Sequence, residues 1–564
     1  MRVLTTTTSF TYASPVRRLL PFVFPAFAIL LTWPLTRQLT THVPLGSEPA
    51  ETVPFLNVWT IGWNGISLTD GFSDYWDAPI FYPTRGAFAF SDPQPLTALP
   101  GALLWSSSPA LAYNAVVLVY LTLNGYVTYR VLRQRGIVMG AALAGGLLVQ
   151  ALPFVTNERG VLQLQPLFGP IWAMGALWNL LERSSWRRGL ELGIALGVTF
   201  LTSEYYALLL VPTLALVLLL HVPDLRKTAS WRHLGFAFAV GLALALPIGL
   251  PQAARLEAMG FQRSQASFAR NSAWPADYLL PSSRLRVADL MPDIDLQTNQ
   301  RLYPGAILSV LAIMGVAVGL SGGRSQRRWT VFLLAIGGLG FALSLGSHLT
   351  IAGTAPLAVV HQAVPLLGYT RSAFRFAALV QLALALLAAG ALAKLWARSH
   401  ALGVAVAALA VLELAPLPAR VVEVPNTRPA WIATVAQVER PVVVHIPYAP
   451  GRSASSYADT TRWMIESLPV EARLLNGYSG FFPPLNGEMR ELLAEFPSDQ
   501  SIEALRALGV GVVILHDSPD STVRERLLDL HIAGEIIDLH VSEDQTVLRL
   551  HTESNGPSSD YPDE

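Results

Sequence analysis

The sequence has no cysteine and few charged residues, and each shortage excludes a class of protein. Without cysteine, the 564-residue chain can form no disulfide, no thiolate metal site and no cysteine nucleophile. Only 14% of its residues are charged, 52% are hydrophobic and the mean hydropathy is +0.42. A soluble chain of this length is seldom so apolar, whereas many-helix membrane proteins typically are. The arginine clusters are short and scattered, which argues against nucleic-acid binding.

The few charges divide the chain into two parts of opposite sign. Residues 1–420 contain 29 Lys and Arg against 17 Asp and Glu, a balance of +12, whereas residues 421–564 contain 10 against 22, a balance of −12. We therefore expect a multi-span transmembrane domain over 1–420 and a soluble domain over 421–552. Residues 553–564 are mostly Ser, Pro, Asp, Asn and Gly, a composition that predicts a disordered tail.

Long apolar runs dominate the first part. Arg17 and Arg18 precede the run from Leu19 to Leu35, and no small-residue cleavage site follows, which predicts an uncleaved first membrane helix. Most of the later runs are long enough to cross about 30 Å of hydrocarbon. They lie near 108–129, 137–155, 161–181, 189–203, 204–221, 233–251, 304–320, 329–347, 376–396 and 401–418. The sequence thus predicts an α-helical polytopic membrane protein with about eleven transmembrane helices.

The orientation of these helices follows from the basic residues, which gather in alternate short loops. These loops contain Arg130, Arg133, Arg135, Arg183, Arg187, Arg188, Arg226, Lys227, Arg232, Arg324, Arg327, Arg328, Lys394 and Arg398. By the positive-inside rule they are cytoplasmic, with the N-terminus. The large loops 36–107 and 252–303 and the C-terminal domain are then extracytoplasmic. The second loop is itself rich in arginine, but loops of that length obey the rule less strictly.

After Pro418 the pattern changes to short alternations. The apolar stretches 442–446 and 510–515 predict buried strands, and 535–540 with 546–550 predicts a terminal hairpin. Helical periodicity occurs at 457–468, 486–495, 501–508 and 521–530. A small soluble α/β domain is the expectation.

One polar stretch, His42–Pro100, lies between two apolar runs and is the first candidate for an active-site floor. It contains Glu48 and Glu51. Asn57, Trp59 and Trp63 follow, with the two tryptophans spaced to share one helical face. The compact run Asp77–Pro83 comes next.

Six short motifs carry a resemblance to a known family. They are Asn57-Val58-Trp59 with Trp63 and Asp77–Pro83, then Ala112-Tyr113-Asn114, Leu162–Pro166, Arg371–Phe376 and Leu475–Phe481. With these motifs in this order over most of its length, the chain resembles a bacterial family of polytopic membrane proteins related to the GT-C type glycosyltransferases. The resemblance implies transfer of a sugar from a polyprenyl-phosphate donor to an acceptor, at the outer face of the bacterial plasma membrane.

The resemblance also implies roles for particular residues. A carboxylate in the first outer loop would take the acceptor's proton or organise a divalent metal ion. The family's acid lies about six residues before a tryptophan: counted from Trp59 it falls on Val53, but if Asn57 replaces that tryptophan it falls on Glu51. Glu51 and Glu48 are therefore the catalytic candidates, and Val161 stands where the family has histidine.

The other implied roles concern the donor and the substrate. Arg371 and Arg375, one helical turn apart, would hold the donor phosphate. The residues implied in substrate binding are Asn57, Trp59, Trp63, Asp77, Glu158 and Gln163.

Each candidate has a purely structural alternative. The two glutamates can be solvated loop charges, Asp77 can fix a turn, the tryptophans can be interfacial anchors and the arginines can snorkel. Glu158 can simply pair with Arg159.

Three other polar residues leave open questions. Glu204 lies either in a tight turn or paired inside the membrane, where a carboxylate is a functional candidate. His445 and His516 show no ligand spacing, so we assign them no metal.

The alternative function is a non-catalytic membrane protein that binds or moves a lipid-linked glycan. A transporter is disfavoured because the runs show no repeat of paired interrupted helices.

Overall fold

The computed structural model describes residues 15–222, 228–290, 300–363, 368, 371–425, 429–435, 438, 441–448, 451, 453–516, 521–541 and 545–551. The predicted tail at 553–564 and the basic pair Arg226 and Lys227 lie outside these residues. The described chain is mostly helical, with one sheet of five strands and one of two.

Helices make up the first part of the chain. They are α1 (Pro15–Leu31), α2 (Thr52–Thr69), α3 (Pro109–Gln134), α4 (Met139–Gln150), α5 (Phe168–Glu182), α6 (Trp186–Thr202), α7 (Glu204–Leu220), α8 (Thr228–Ala258), α9 (Ala306–Leu320), α10 (Arg324–Ser344), α11 (Ala377–Arg398) and α12 (His400–Glu413). Each of the eleven predicted apolar runs overlaps one of them. Of the twelve helices named, α2 alone overlaps no predicted run; it lies in the predicted first outer loop and buries 13 of its residues.

Shorter helical segments connect these helices. They are Leu35–Arg37, Ala87–Phe90, Pro95–Thr97, Ala98–Pro100, Gly101–Trp105, Pro153–Asn157, Leu162–Leu164, Gln265–Arg270, Pro275–Tyr278, Arg286–Leu290, Gly346–His348, Pro356–Ala363 and Ala373–Phe376.

Four helical stretches within the described residues are long and apolar enough to cross a membrane. They are Pro109–Gln134, Met139–Asn157, Ser230–Ala258 and Ala373–Arg398. A membrane protein is therefore the class that the helices support. The full count of about eleven spans stays a prediction.

Serine residues end several helices and begin the next. Ser203 is the single extended residue (φ −164°, ψ 108°) between α6 and α7, and its Oγ accepts a hydrogen bond from the Tyr206 amide at 3.2 Å. Ser399 separates α11 from α12 in the same way and accepts from Leu402. Because serine satisfies an otherwise unpaired helix amide, one residue is enough to break the run that spans 189–221. Glu204 becomes the first residue of α7.

The C-terminal part is an α/β unit. Its strands are β3 (Val442–Ile446), β4 (Arg473–Leu474), β5 (Val512–Leu515), β6 (Ile536–Val541) and β7 (Thr546–Leu550), in the order β4-β3-β5-β7-β6. The central strand β3 is parallel to β4 and β5, and the last two strands form an antiparallel hairpin.

Helices pack beside this sheet. They are α13 (Ala458–Ser467), α14 (Pro484–Leu493), α15 (Asp499–Ala507) and α16 (Ser521–Ile532), with shorter segments Ala430–Val435, Ala454–Tyr457 and Leu468–Val470. The predicted strands, helices and hairpin are present at these places within a few residues.

Two strand-like contacts join the 36–107 loop to the C-terminal unit. Strand β1 (His42–Leu45) pairs antiparallel with β2 (Arg420–Glu423). Residues 79–82 run beside β4, where the Leu474 amide donates to Pro79 at 3.0 Å and the Tyr82 amide donates to Leu474 at 2.9 Å. The 36–107 loop is therefore held between the helices and the sheet.

Candidate active site

Several loops that the sequence assigns to the outer face meet at one end of the helix bundle. At this end α7 and α11 begin and α8 ends. The Tyr205 hydroxyl donates to the Ser372 carbonyl, and the Tyr206 hydroxyl donates to the Leu164 carbonyl at 2.6 Å. The first turn of α7 thereby joins the segment before α5 to the segment before α11.

Three arginine side chains converge there. Arg371 and Arg375 belong to the motif before α11, and Arg263 comes from the 252–303 loop. Burial and the positive charges of Arg371 and Arg375 together lower the pKa of Arg263 to about 10. Like charges that lie together in a partly buried place repel one another, so the cluster is suited to an anion.

Arg263 and Arg375 are half-buried, and each lies over an aromatic ring. Arg375 lies over the Tyr205 ring, with its guanidinium carbon 4.7 Å from the ring centroid. Arg263 lies 3.9 Å above the Phe481 ring and donates to the Gly480 carbonyl. In both, the Nε atom is buried and has no partner among the described residues. Arg371 is exposed at the rim.

Two carboxylates from different elements lie beside these cations. Asp92 accepts a hydrogen bond from the Glu204 amide at 3.1 Å, and Glu204 accepts one from the Gln252 side chain at 3.3 Å. The second oxygen of each carboxylate is buried without a partner among the described residues. Burial raises the pKa of Asp92 to about 7, against the lowering effect of the Glu204 and Gln94 amides and of Arg375.

The structure places one predicted substrate-binding residue, Glu158, near Arg375. Burial raises the pKa of Glu158 to about 7, with Arg375 opposing and Glu48 adding to the shift. The charges near Arg159 are Arg284 and Glu48. The Oε1 atom of Gln163 is buried with no partner among the described residues.

The two predicted catalytic glutamates take different positions. Glu48 accepts hydrogen bonds from the Gly46 amide at 2.5 Å and the Gly160 amide at 3.1 Å, and burial raises its pKa. Glu51 precedes α2 and pairs with Arg462 of the C-terminal unit at 3.4 Å. Glu48 therefore lies on the edge of the charged cluster, whereas Glu51 faces the C-terminal unit.

Helix α2 positions the loop that carries Asp92. Asn57 accepts a hydrogen bond from the Gln94 side chain at 2.9 Å, and Asn64 donates to the Pro93 carbonyl at 2.7 Å. Two buried amides thus hold the residues directly after Asp92. The role of Asn57 in substrate binding stays a prediction.

The predicted aromatic and turn residues of the first loop are also located. Trp59 is 2% exposed and packs edge-on against Phe88, and the half-buried Trp63 donates to the Tyr75 carbonyl at 2.9 Å. Asp77 is exposed and accepts a hydrogen bond from the Gly86 amide at 2.7 Å, as the structural alternative, in which Asp77 fixes a turn, predicts. Sugar binding by these three residues stays a prediction.

An apolar groove is lined by residues that lie close in sequence to the two carboxylates. Its volume is about 620 Å³, and it lies between α3, α5, α6 and the segment 95–105. Leu96 and Thr202 line it near Asp92 and Glu204, and Arg130 and Glu191 line it at the far end of α3. A long apolar chain would fit along it.

Sequence reasoning missed Asp92, Arg263 and Gln252 and left Glu204 undecided. Asp92 stands in Ser-Asp-Pro-Gln-Pro, inside the polar stretch already singled out, so its carboxylate could have been counted with Glu48 and Glu51. The convergence of Arg263 on Arg375 had no local signal, because the two residues lie in separate loops.

The C-terminal unit contains a histidine pair that the spacing did not reveal. His445 Nδ1 lies 2.7 Å from His516 Nε2, and both rings stack on Trp463. Among the described residues, no group of three or more His, Asp or Glu is arranged to hold a metal ion.

Comparison with known families identifies a large part of the chain. Residues 75–415 match DUF6311, described as a domain of unknown function. The chain belongs to the DUF6311 family. Its DUF6311 region contains Asp92, Glu204, Arg263 and Arg375, whereas Glu48, Glu51 and α2 precede it and the C-terminal unit follows it.

Solved structures show distant likenesses to this DUF6311 protein. The archaeal oligosaccharyltransferase AglB from Archaeoglobus fulgidus, in complex with an inhibitory peptide and a dolichol-phosphate, is 13% identical over 89% of this chain and 69% of its own, with a TM-score of 0.44. ArnT from Cupriavidus metallidurans in the apo state is 14% identical over 94% and 97%, with a TM-score of 0.37. TM-scores below 0.5 do not establish a common fold. No curated protein matches.

Proposed function

We propose that this protein is a membrane glycosyltransferase that takes a sugar from a polyprenyl-phosphate donor at the outer face of the membrane. The observation that carries the proposal is the convergence of Arg263, Arg371 and Arg375 beside a buried carboxylate. A phosphate is the anion that such a set of guanidinium groups binds well, through charge-assisted and bidentate hydrogen bonds.

The roles in the reaction follow from the positions of the groups. The acceptor's hydroxyl oxygen forms a bond to the anomeric carbon of the donor sugar, and the bond from that carbon to the phosphate oxygen breaks. Asp92 takes the proton of the hydroxyl as general base. The arginines stabilise the negative charge on the polyprenyl phosphate that leaves with the bonding electron pair.

We place the donor's lipid chain in the apolar groove. From Ala115 to Gln134 its lining follows α3 for roughly 28 Å at 1.5 Å per residue, close to the thickness of the hydrocarbon core. An isoprenoid lying there has its phosphate end next to Asp92 and Glu204.

A divalent cation would find only a partial set of ligands in this site. Asp92 and Glu204 each offer one unpartnered oxygen, which is the donor type that Mg²⁺ takes. Because the described residues hold no third carboxylate or histidine in that group, no step of the mechanism is assigned to a metal.

Binding of undecaprenyl phosphate to the purified full-length protein tests the proposal. We expect Arg375→Gln to weaken binding more than Arg375→Lys, because lysine keeps the charge but loses the bidentate geometry. Removing a charge-assisted contact of this kind weakens binding by about tenfold or more. Arg85→Gln is the control, since Arg85 is an exposed residue of the first outer loop. Equal binding by wild type and both Arg375 variants would refute the proposed phosphate site.

A further inference from the structure

A second polar cavity lies at the opposite end of the helix bundle. Its volume is about 840 Å³, which is within the usual range for small-molecule sites. The ends of α3 and α9 and the beginning of α10 surround it, together with the last turns of α11. The positive-inside rule assigns this end to the cytoplasm, so the cavity is separate from the proposed transfer site.

The charges that line this cavity are mainly positive. Arg135, Arg324 and Lys394 line it, and Glu182 is the one acidic residue among its described lining. Arg135 pairs with Glu182 at 3.2 Å, and its guanidinium carbon lies 5.8 Å from the ring centroids of both Trp178 and Trp329. This pair is therefore balanced, and the charges of Arg324 and Lys394 remain in excess.

Glu182 is fully engaged by its neighbours. Its Oε1 accepts hydrogen bonds from Trp178 and Ser325, both at 3.0 Å. It has little capacity left to neutralise further cations. Arg324 and Lys394 are exposed at the rim and have no acidic partner among the described residues.

The start of α10 adds backbone donors to the cavity. This helix of 21 residues begins after Gly323, and no side chain caps it. Gly323, Arg324, Ser325 and Gln326 all line the cavity. The first amides of a helix and its dipole favour an anion. Arg135 adds a buried positive charge at the same cavity. Its side chain is 7% exposed, its two terminal nitrogens bind Glu182 and Asn179, and its Nε has no partner among the described residues.

The deeper lining is apolar. Leu132, Val318, Leu333 and Leu386 lie behind the charged rim, between α3, α9, α10 and α11. The ligand that suits a cationic rim above an apolar floor has a phosphate attached to a hydrocarbon chain. Basic pockets between membrane helices on the cytoplasmic side bind lipid phosphates by this combination.

We infer that this cavity binds the phosphate head group of an anionic phospholipid from the cytoplasmic leaflet, with an acyl chain against the apolar floor. The phosphate lies between Arg324, Lys394 and the first amides of α10. The paired Arg135 forms the inner wall. The inference does not depend on sugar transfer at the other end of the bundle.

Lipid binding to the purified full-length protein tests the inference by native mass spectrometry. The probes are phosphatidylglycerol and phosphatidylcholine with the same acyl chains, and sn-glycerol 3-phosphate as a soluble competitor. We expect saturable binding of phosphatidylglycerol only, without competition by glycerol phosphate. The double variant Arg324→Gln/Lys394→Gln should weaken it by about 25-fold, roughly fivefold for each basic residue removed.

The control is Arg398→Gln, because Arg398 is an exposed residue on the same helix as Lys394 but does not line the cavity. It should leave phosphatidylglycerol binding unchanged. Equal loss in the control and the double variant would show a general surface charge effect and overturn the site. Equal binding of both phospholipids, or full displacement by glycerol phosphate, would overturn the choice of an anionic lipid.

Discussion

A carboxylate acts best as a general base when its pKa lies near the working pH, and Asp92 meets this condition through its surroundings. Burial raises its pKa to about 7, while two backbone amides and Arg375 limit the rise. Glu51 instead pairs with Arg462, and that arginine is 41% exposed. Among the carboxylates of the first loop, Asp92 is therefore the one whose position fits proton transfer beside the arginines.

We predict that Asp92→Asn lowers the rate of sugar transfer by about 10²–10⁴, the usual cost of losing a positioned base. The base must be ionised to accept a proton, so the wild-type rate should rise with pH, reach half its maximum near pH 7 and level off at higher pH. The variant should lose this rise. The measurement is the initial rate of polyprenyl-phosphate release from a labelled donor across pH 5–9.

Asp74→Asn is the matched control, because Asp74 lies in the same loop and is exposed. Its rate and pH profile should resemble those of wild type. Glu48→Gln and Glu51→Gln test the acids that the family resemblance implies. If Glu51→Gln abolishes transfer while Asp92→Asn retains both rate and profile, Asp92 is not the base and the resemblance has the correct register.

At the scale of elements, the first outer loop and the C-terminal unit fit closely. Phe81 packs on Phe482 with ring centroids 5.7 Å apart, and Phe481 stacks on Phe261 at 4.9 Å. The Phe481 amide donates to the Phe90 carbonyl at 3.1 Å. A Cβ atom on Gly480 would lie 2.5 Å from that same carbonyl oxygen. The absence of a side chain at Gly480 permits this approach.

We expect Gly480→Ala to destabilise the protein by about 1–3 kcal/mol, since an added carbon in a well-packed contact forces the backbone apart. The measurement is the Tm of the full-length protein in detergent, together with protease sensitivity of the C-terminal unit. Gly487→Ala is the control: it lies in α14 with open space around its Cβ position, and alanine favours the helix by about 0.5–1 kcal/mol. A Tm for Gly480→Ala equal to that of wild type would contradict the close contact.

The elements themselves could be predicted because their signals are local. Apolar runs of sufficient length gave the helices, and the change to short alternation after Pro418 gave the strands of the C-terminal unit. The burial of α2 could not be predicted from its run, because the partners of its polar residues Asn57 and Asn64 include the distant Pro93–Gln94 segment. These tertiary hydrogen bonds allow a helix with polar residues to lie in the protein interior.

The site was predictable only in part for the same reason. Arg375 and the polar first loop carried local motifs, and both contribute to the cluster. Arg263 joins it through the packing of the 252–303 loop against Phe481, and Asp92 through the Glu204 amide. These contacts depend on how the helices pack in three dimensions, and residue spacing along the chain does not reveal that packing.

At the scale of the whole molecule, the two clusters of charged residues lie at opposite ends of the helix bundle. The arginine and carboxylate cluster lies where α7 and α11 begin, and the basic cavity lies where α10 begins and α11 ends. The acidic C-terminal unit contacts the first end through the Phe81 and Phe481 loops. Sugar transfer at the outer face requires that this unit be extracytoplasmic.

The absence of cysteine makes this orientation testable without background, since a membrane-impermeant maleimide finds no native thiol. Single cysteines replace exposed residues at Glu257 and Glu488, expected outside, and at Arg187 and Arg398, expected inside. We predict labelling of Glu257→Cys and Glu488→Cys in intact cells, and labelling of Arg187→Cys and Arg398→Cys only after the membrane is permeabilised. If Glu488→Cys reacts only after permeabilisation, the C-terminal unit is cytoplasmic and transfer at the outer face is ruled out, because the Phe481 loop and Arg263 contact each other directly.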